Sequence, residues 1–266
     1  MSRRIGLALA AACAALGTAL LAPPLVLPLL PSQRGLALDA AFTSLFLALV
    51  AVSFAALARE PLADRLGLGP GRLSARRSAV LVAGLVGFSQ TIDGAIRLAG
   101  LDAGSGLAQI DAVVAGARGP ALLGLLGGAA VAPGLGEELF ARGWILRGVA
   151  RRFGRAAGIL ISSAVFGALH GEPVHASAAF GLGLYLGWIA EVTGSIRTSM
   201  LAHVTNNVLA LLTSAYGMAL PPGLPGVALL AGGAAVALLG LAASCAEAPR
   251  GQAPHPCPPP AASAEP

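Results

Sequence analysis

Apolar residues in this chain run in long blocks, broken by short polar or basic stretches. A membrane-crossing helix needs roughly 20 apolar residues. Eight blocks approach that length, at about 5–30, 36–58, 79–101, 120–146, 156–170, 174–192, 196–214 and 223–243. The first is broken near its end by Pro23, Pro24 and Pro28, and Gln90, Asp93 and Arg97 polarise the second half of the third. The fifth to seventh are short and tightly connected, so a seven-span reading stands as the alternative. The pattern predicts an all-α, polytopic transmembrane bundle of about eight spans. It divides into three spans and a polar loop (1–118), a four-helix core (119–214), a final span (215–246) and a disordered Pro/Ala-rich tail (247–266).

Composition sharpens this class. The 266 residues are 56% hydrophobic and only 11% charged, with a mean hydropathy of +0.79. Soluble domains carry about a quarter charged residues. The net charge of +5 does not point to nucleic acid, because the 17 basic residues, all Arg, cluster between the apolar blocks. With the N-terminus in the cytoplasm, Arg3, Arg4, Arg59, Arg65, Arg72, Arg76, Arg77, Arg147, Arg151, Arg152, Arg155, Arg197 and Arg250 all fall on that side. Only Arg34 and Arg118 fall opposite, while Arg97 and Arg142 lie within spans. That asymmetry follows the positive-inside rule and places both termini in the cytoplasm. The Arg-only, Ala/Gly/Leu-rich composition looks bacterial, which makes the inner (plasma) membrane the expected location. The first block runs past the usual length of a signal peptide and reads as a retained helix. A short surface helix is expected near 61–66. Cys13, Cys245 and Cys257 are scattered and imply neither a disulfide framework nor a zinc knuckle.

Charges at membrane depth are costly and mark function. Glu137, Glu138 and Arg142 sit inside the fourth block. Glu138 and Arg142 are four apart and share a helix face, so they can pair. Glu137 is turned about 100° away and is free to face something else. His170 follows Phe166 by four residues, and Asn207 follows His203 by four. Asn206 lies one position aside, as a packing or hydrogen-bonding residue. At 1.5 Å per residue, Glu137 and Asn207 each lie about 15 Å from the nearest basic flank, His203 about 9 Å and His170 about 22 Å, or less if its helix starts near Gly158. Three helices therefore bring polar groups to a similar depth. His170, Glu172 and His175 form a possible metal set, weakened by the helix-breaking Pro173 and by the lack of an HExxH pattern.

These residues resemble the CPBP intramembrane protease family, which comprises CAAX proteases and bacteriocin-processing enzymes and is also called the Abi family. Its EExxxR motif corresponds to Glu137, Glu138 and Arg142, its FxxxH motif to Phe166 and His170, and its HxxxN motif to His203 and Asn207. A Gly-rich helix and a turn of Thr193, Gly194, Ser195 and Ile196 lie between the last two. The resemblance spans residues 123–212 and implies peptide-bond hydrolysis within the membrane. Glu137 would then be the general base and His170 would orient the water. His203 and Asn207 would serve the oxyanion, with Glu138 and Arg142 in support. A zinc version is equally drawable, with Glu137, His170 and His203 as ligands, so either no cofactor or a divalent metal is expected. The implied substrate is a membrane-associated peptide or protein tail. Two other classes stay in view, a non-catalytic scaffold or immunity protein and a proton-coupled transporter. The latter is disfavoured by the lack of an internal repeat.

Overall fold

The structure, a computed structural model, describes residues 32–57 and 60–218. The expected first and last spans, the Pro/Ala-rich tail and all three cysteines lie outside the described residues. Within them the protein is all-helical, in eight helices: α1 (Gln33–Ala56), α2 (Leu62–Leu66), α3 (Ala75–Leu98), α4 (Gly106–Val114), α5 (Gly119–Phe153), α6 (Arg155–Ala168), α7 (Pro173–Thr193) and α8 (Ile196–Tyr216).

Four of these, α1, α3, α5 and α7, are long and apolar enough to cross a membrane. Helix α6 has 14 residues, a rise of about 21 Å against a hydrocarbon core of about 30 Å. Helix α8 has 21 residues but falls outside the apolar set. Its hydroxyls, His203, Asn206 and Asn207 lower its hydropathy. The expected eight spans thus appear among the described residues as four candidate spans, one short apolar helix and one polar helix. On α1, Leu38, Phe42, Leu45 and Leu49 are all more than half exposed along one stripe. That is an ordinary surface in lipid and a costly one in water.

Ser32, Ser74 and Ser105 each accept a hydrogen bond from a first-turn N–H of α1, α3 and α4, the expected use of a hydroxyl at an N-cap. Helix α5 was expected to end near residue 146, with its arginines in a loop. It runs on to Phe153 and stops only at Gly154, whose φ of +87° reverses the chain. Arg147, Arg151 and Arg152 therefore lie on the last turns of a helix, where cations suit the negative end of its dipole.

Helix α5 is not regular. Two stretches, Leu126–Val131 and Leu139–Leu146, widen to π turns around a normal segment, Ala132–Glu138. Pro133 at the start of that segment lacks an N–H and its ring crowds the preceding turn. Widening just upstream is one of the ways a helix absorbs such a break.

Three glycines of α5 set how closely its neighbours approach. A Cβ built on Gly128 would stand 2.2 Å from the Ala37 carbonyl oxygen of α1, and one on Gly136 would stand 2.2 Å from that of Ser44. On the other side, a Cβ on Gly134 would lie 2.8 Å from the backbone nitrogen of Val204 in α8. Close backbone contact through small residues is the usual means of helix association in a membrane. Gly136→Ala is expected to destabilise the protein by about 1–3 kcal/mol through overpacking. Gly124→Ala, where a Cβ meets nothing within 4 Å, is expected to be neutral. Thermal unfolding of the two variants in the same detergent checks this, and equal melting would refute the close approach of α1.

The remaining links brace the two ends of the bundle. Arg97 on α3 donates to Asp93 at 2.8 Å and to Asp111 on α4 at 3.0 Å, and the Ser214 hydroxyl of α8 also bonds Asp111. This explains the polar second half of the third apolar block. At the other end, the segment after α2 seats on the turn between α7 and α8. The Arg72 N–H donates to the Thr193 carbonyl at 2.8 Å, the Ser195 hydroxyl to that of Gly69 at 2.7 Å, and the Ile196 N–H to that of Gly67 at 3.0 Å. Gly194, at φ +69°, makes that turn possible. The expected surface helix near 61–66 is present as α2.

Candidate functional site

Glu137 and Glu138 close the regular segment of α5, immediately before its second wide turn, which carries Arg142. The bare backbone of Gly134 lets α8 in beside them, and His203 neighbours the Val204 that Gly134 meets. Two carboxylates, a guanidinium and an imidazole are thereby gathered in a dry interior.

The carboxylates divide as their spacing predicts. Arg142 donates to Glu138 Oε1 at 2.7 Å, and both side chains are completely buried. The same oxygen lies 3.2 Å from His203 Nδ1. A carboxylate paired with arginine accepts, so Nδ1 of His203 carries a proton and Nε2 is the nitrogen left for other partners. That Nε2 faces Glu137 Oε2 at 3.9 Å. Glu137 keeps 16% of its side-chain surface exposed, against 0% for Glu138. Glu138 is thus committed to its neighbours and Glu137 is not.

Arg142 is held on two further sides. Its Nη2 donates to the Gly183 carbonyl of α7 at 3.0 Å, and its guanidinium lies 4.4 Å above the Phe166 ring of α6. A cation over an aromatic face is favourable, most of all when desolvated. Glu138 Oε2 and Arg142 Nε have no hydrogen-bond partner among the described residues.

Phe166 is the hub that the sequence reading left without a role. Besides Arg142, it meets His170 edge-on at 5.0 Å and His203 edge-on at 5.6 Å. His170 lies just past the end of α6, with Nδ1 2.8 Å from the Phe166 carbonyl. A carbonyl oxygen only accepts, so Nδ1 holds the proton and Nε2 is free in the neutral ring. Glu137, Glu138, Arg142, Phe166, His170 and His203 therefore form one contact network across α5, α6 and α8.

Asn207 stands apart from it. Among the described residues its side chain makes one hydrogen bond, accepting from Asn206 at 3.5 Å. Asn206 is the more buried of the two, at 8% exposure. His170, Glu172 and His175 do not assemble a ligand set. Glu172 caps α7, accepting from the N–H groups of Val174 at 3.0 Å and His175 at 2.9 Å, and it also accepts from that of Gly106 on α4 at 3.1 Å. Those bonds hold its carboxyl below the usual carboxylate range. Glu137, His170 and His203 carry donor atoms that suit zinc. However, no group of three or more His, Cys, Asp or Glu side chains among the described residues is arranged to hold a metal ion.

Residues 119–209 match the model of one protein family, described as Rce1-like, type II CAAX prenyl endopeptidase Rce1-like. The chain carries an Rce1-like domain. The match opens at the first residue of α5 and closes within α8, so the Rce1-like domain holds the whole contact network. It agrees with the family resemblance seen in the motifs. Neither a curated protein nor a solved structure matches. Helix α1, whose backbone closes against Gly128 and Gly136, lies outside the Rce1-like domain. Its contribution could not be read from the motifs.

Proposed function

We propose that the protein is an intramembrane endopeptidase that hydrolyses a peptide bond in a membrane-associated protein or peptide. The division between the two adjacent carboxylates carries this reading. Arg142 and His203 occupy Glu138, while Glu137 is partly open and faces the second nitrogen of His203. Hydrolysis needs a base for water, a donor for the oxyanion and a proton for the leaving amine.

In this mechanism Glu137 takes a proton from a water oriented by His170 Nε2. The water oxygen bonds to the scissile carbonyl carbon, and the carbonyl electron pair moves onto oxygen. His203 and the Asn207 amide donate to that oxyanion, and Glu138 holds the His203 ring through its hydrogen bond with Nδ1. Collapse of the tetrahedral species breaks the C–N bond, and the proton held by Glu137 passes to the departing amine. Glu138 and Arg142 hold the geometry. The arginine asymmetry supports cytoplasmic termini, and the Arg-only, Ala/Gly/Leu-rich composition supports a bacterial inner membrane.

The family description names prenyl endopeptidases, so a prenylated C-terminal peptide is one substrate to try and an unmodified membrane-anchored peptide library is the other. Purified full-length protein in lipid nanodiscs should cut one of the two at a defined peptide bond, read by mass spectrometry. A folded protein that cuts neither would overturn the reading. Loss of cleavage on chelation would instead put a metal among Glu137, His170 and His203.

The oxyanion assignment has its own test. Asn207→Ala should lower kcat by about 10²–10³-fold with little change in KM. Asn206→Ala should be milder. The reverse order would make the more deeply buried Asn206 the donor.

A further inference from the structure

His175 lies outside every motif that marked the site, and it takes no part in the proposed reaction. Its ring meets that of His170 at 4.5 Å between centroids and 64° between planes. Its hydrogen bonding among the described residues goes through its backbone, whose N–H is taken by Glu172.

The local chain is built to hold the two rings together. Helix α6 ends at Ala168, and Gly171, at φ +70°, turns the chain straight into α7. The Glu172 N–H donates back to the His170 carbonyl at 2.7 Å, and the Glu172 carboxylate fixes the first turn of α7. A Cβ on Gly167 would stand 2.7 Å from the Ala176 carbonyl oxygen, so α6 and α7 meet backbone to backbone three residues before His170 and one after His175. Replacing any of these would move His175 relative to His170.

His170 needs such support. A single hydrogen bond, from Nδ1 to the Phe166 carbonyl, selects its tautomer only while the ring stays aligned with that carbonyl, and one bond leaves the ring free to tilt away. The Phe166 ring restrains it at 5.0 Å and the His175 ring at 4.5 Å. Edge-to-face pairs of this kind prefer a defined geometry.

We propose that His175 is a positioning residue for His170, holding its ring so that the free Nε2 points into the site. This rests on the reading of His170 as the group that orients the attacking water. It predicts that the ring of His175 matters and its titratable nitrogens do not. His175→Ala should lower kcat by about two- to tenfold, the worth of one aromatic pair, with KM unchanged. His175→Phe, which keeps a ring at the same place, should restore kcat to within about twofold of wild type.

Nitrogen-15 NMR of histidine-labelled protein in nanodiscs reads the same claim without substrate. Wild type and His175→Phe should show His170 as one Nδ1–H tautomer, and His175→Ala should show averaged nitrogen shifts. A His175→Ala protein with wild-type kcat and an unaltered tautomer signal would overturn the proposal. So would a His175→Phe protein as impaired as His175→Ala in both measurements. If the tautomer results hold while Glu137→Gln keeps full turnover, the hydrolytic mechanism fails and the positioning of His170 stands.

Discussion

Glu137→Gln is expected to reduce peptide cleavage by about 10²–10⁴-fold, the usual worth of a positioned general base, while leaving the protein folded. The substitution keeps shape and volume and removes only basicity. Arg142 keeps its hydrogen-bonded carboxylate, because that partner is Glu138 at 2.7 Å. Thermal unfolding in the same nanodiscs should match wild type within a few degrees. Turnover near the wild-type rate would sink the assignment of Glu137 as base. A large fall in melting temperature would mean that Glu137 also serves the packing, contrary to its partly open position.

The neighbouring carboxylate supplies the contrast. Glu138→Gln should cost stability as well as activity, since it leaves the Arg142 guanidinium buried beside a neutral amide. Two adjacent glutamates with opposite profiles, one silent in stability and one not, would be hard to obtain from any arrangement in which both do the same work.

Much of this was legible in the chain before any coordinates. The i, i+4 spacing of Glu138 and Arg142 predicted their pair, and the rotation of Glu137 predicted its separate environment. The apolar blocks placed α1, α3, α5, α6, α7 and α8 to within a few residues at most ends. Two features of α5 escaped, for different reasons. Helix α5 runs past its arginines because a cationic last turn suits a helix terminus as well as a loop, and hydropathy does not distinguish the two. Its first wide turn, just before Pro133, follows from how that proline is absorbed, which depends on what packs around it. The closest contacts were illegible for a further reason. Gly134 and Gly136 look alike in sequence, yet one meets Val204 and the other Ser44, and only the partner helix decides which. Phe166 was visible as a motif position, but its contact with a cation and two imidazoles is a property of three helices together. His175 was noticed as part of a possible metal set with His170 and Glu172. The pairing of the two rings was the real signal, and Glu172 proved to be a helix cap.

Arg142→Ala is the substitution expected to cost the most stability, about 3–5 kcal/mol, because it leaves the Glu138 charge buried without its partner. Other losses add to this. The Gly183 carbonyl of α7 loses its donor, and Phe166 loses the cation above its ring. His203 would remain as a hydrogen-bond partner of Glu138 Oε1. The effect should therefore reach α7 and α8 as well as α5, and appear as a lower unfolding temperature or poor recovery from the membrane. A compensating change separates buried charge from lost packing. In the double variant Glu138→Gln, Arg142→Met no charge is stranded, the glutamine oxygen can still accept from His203, and the methionine refills part of the volume. Most of the stability should return, because a buried pair replaced by neutral groups of similar size is often tolerated. The coupling read from Glu138→Gln and Arg142→Met singly and from the double variant is then large and of the sign that marks a shared charge. An Arg142→Ala protein that unfolds with wild type would show that the Glu138 charge is satisfied elsewhere. A double variant no better than Arg142→Ala would show that the packing of the guanidinium, and not its charge, holds α5 to α7.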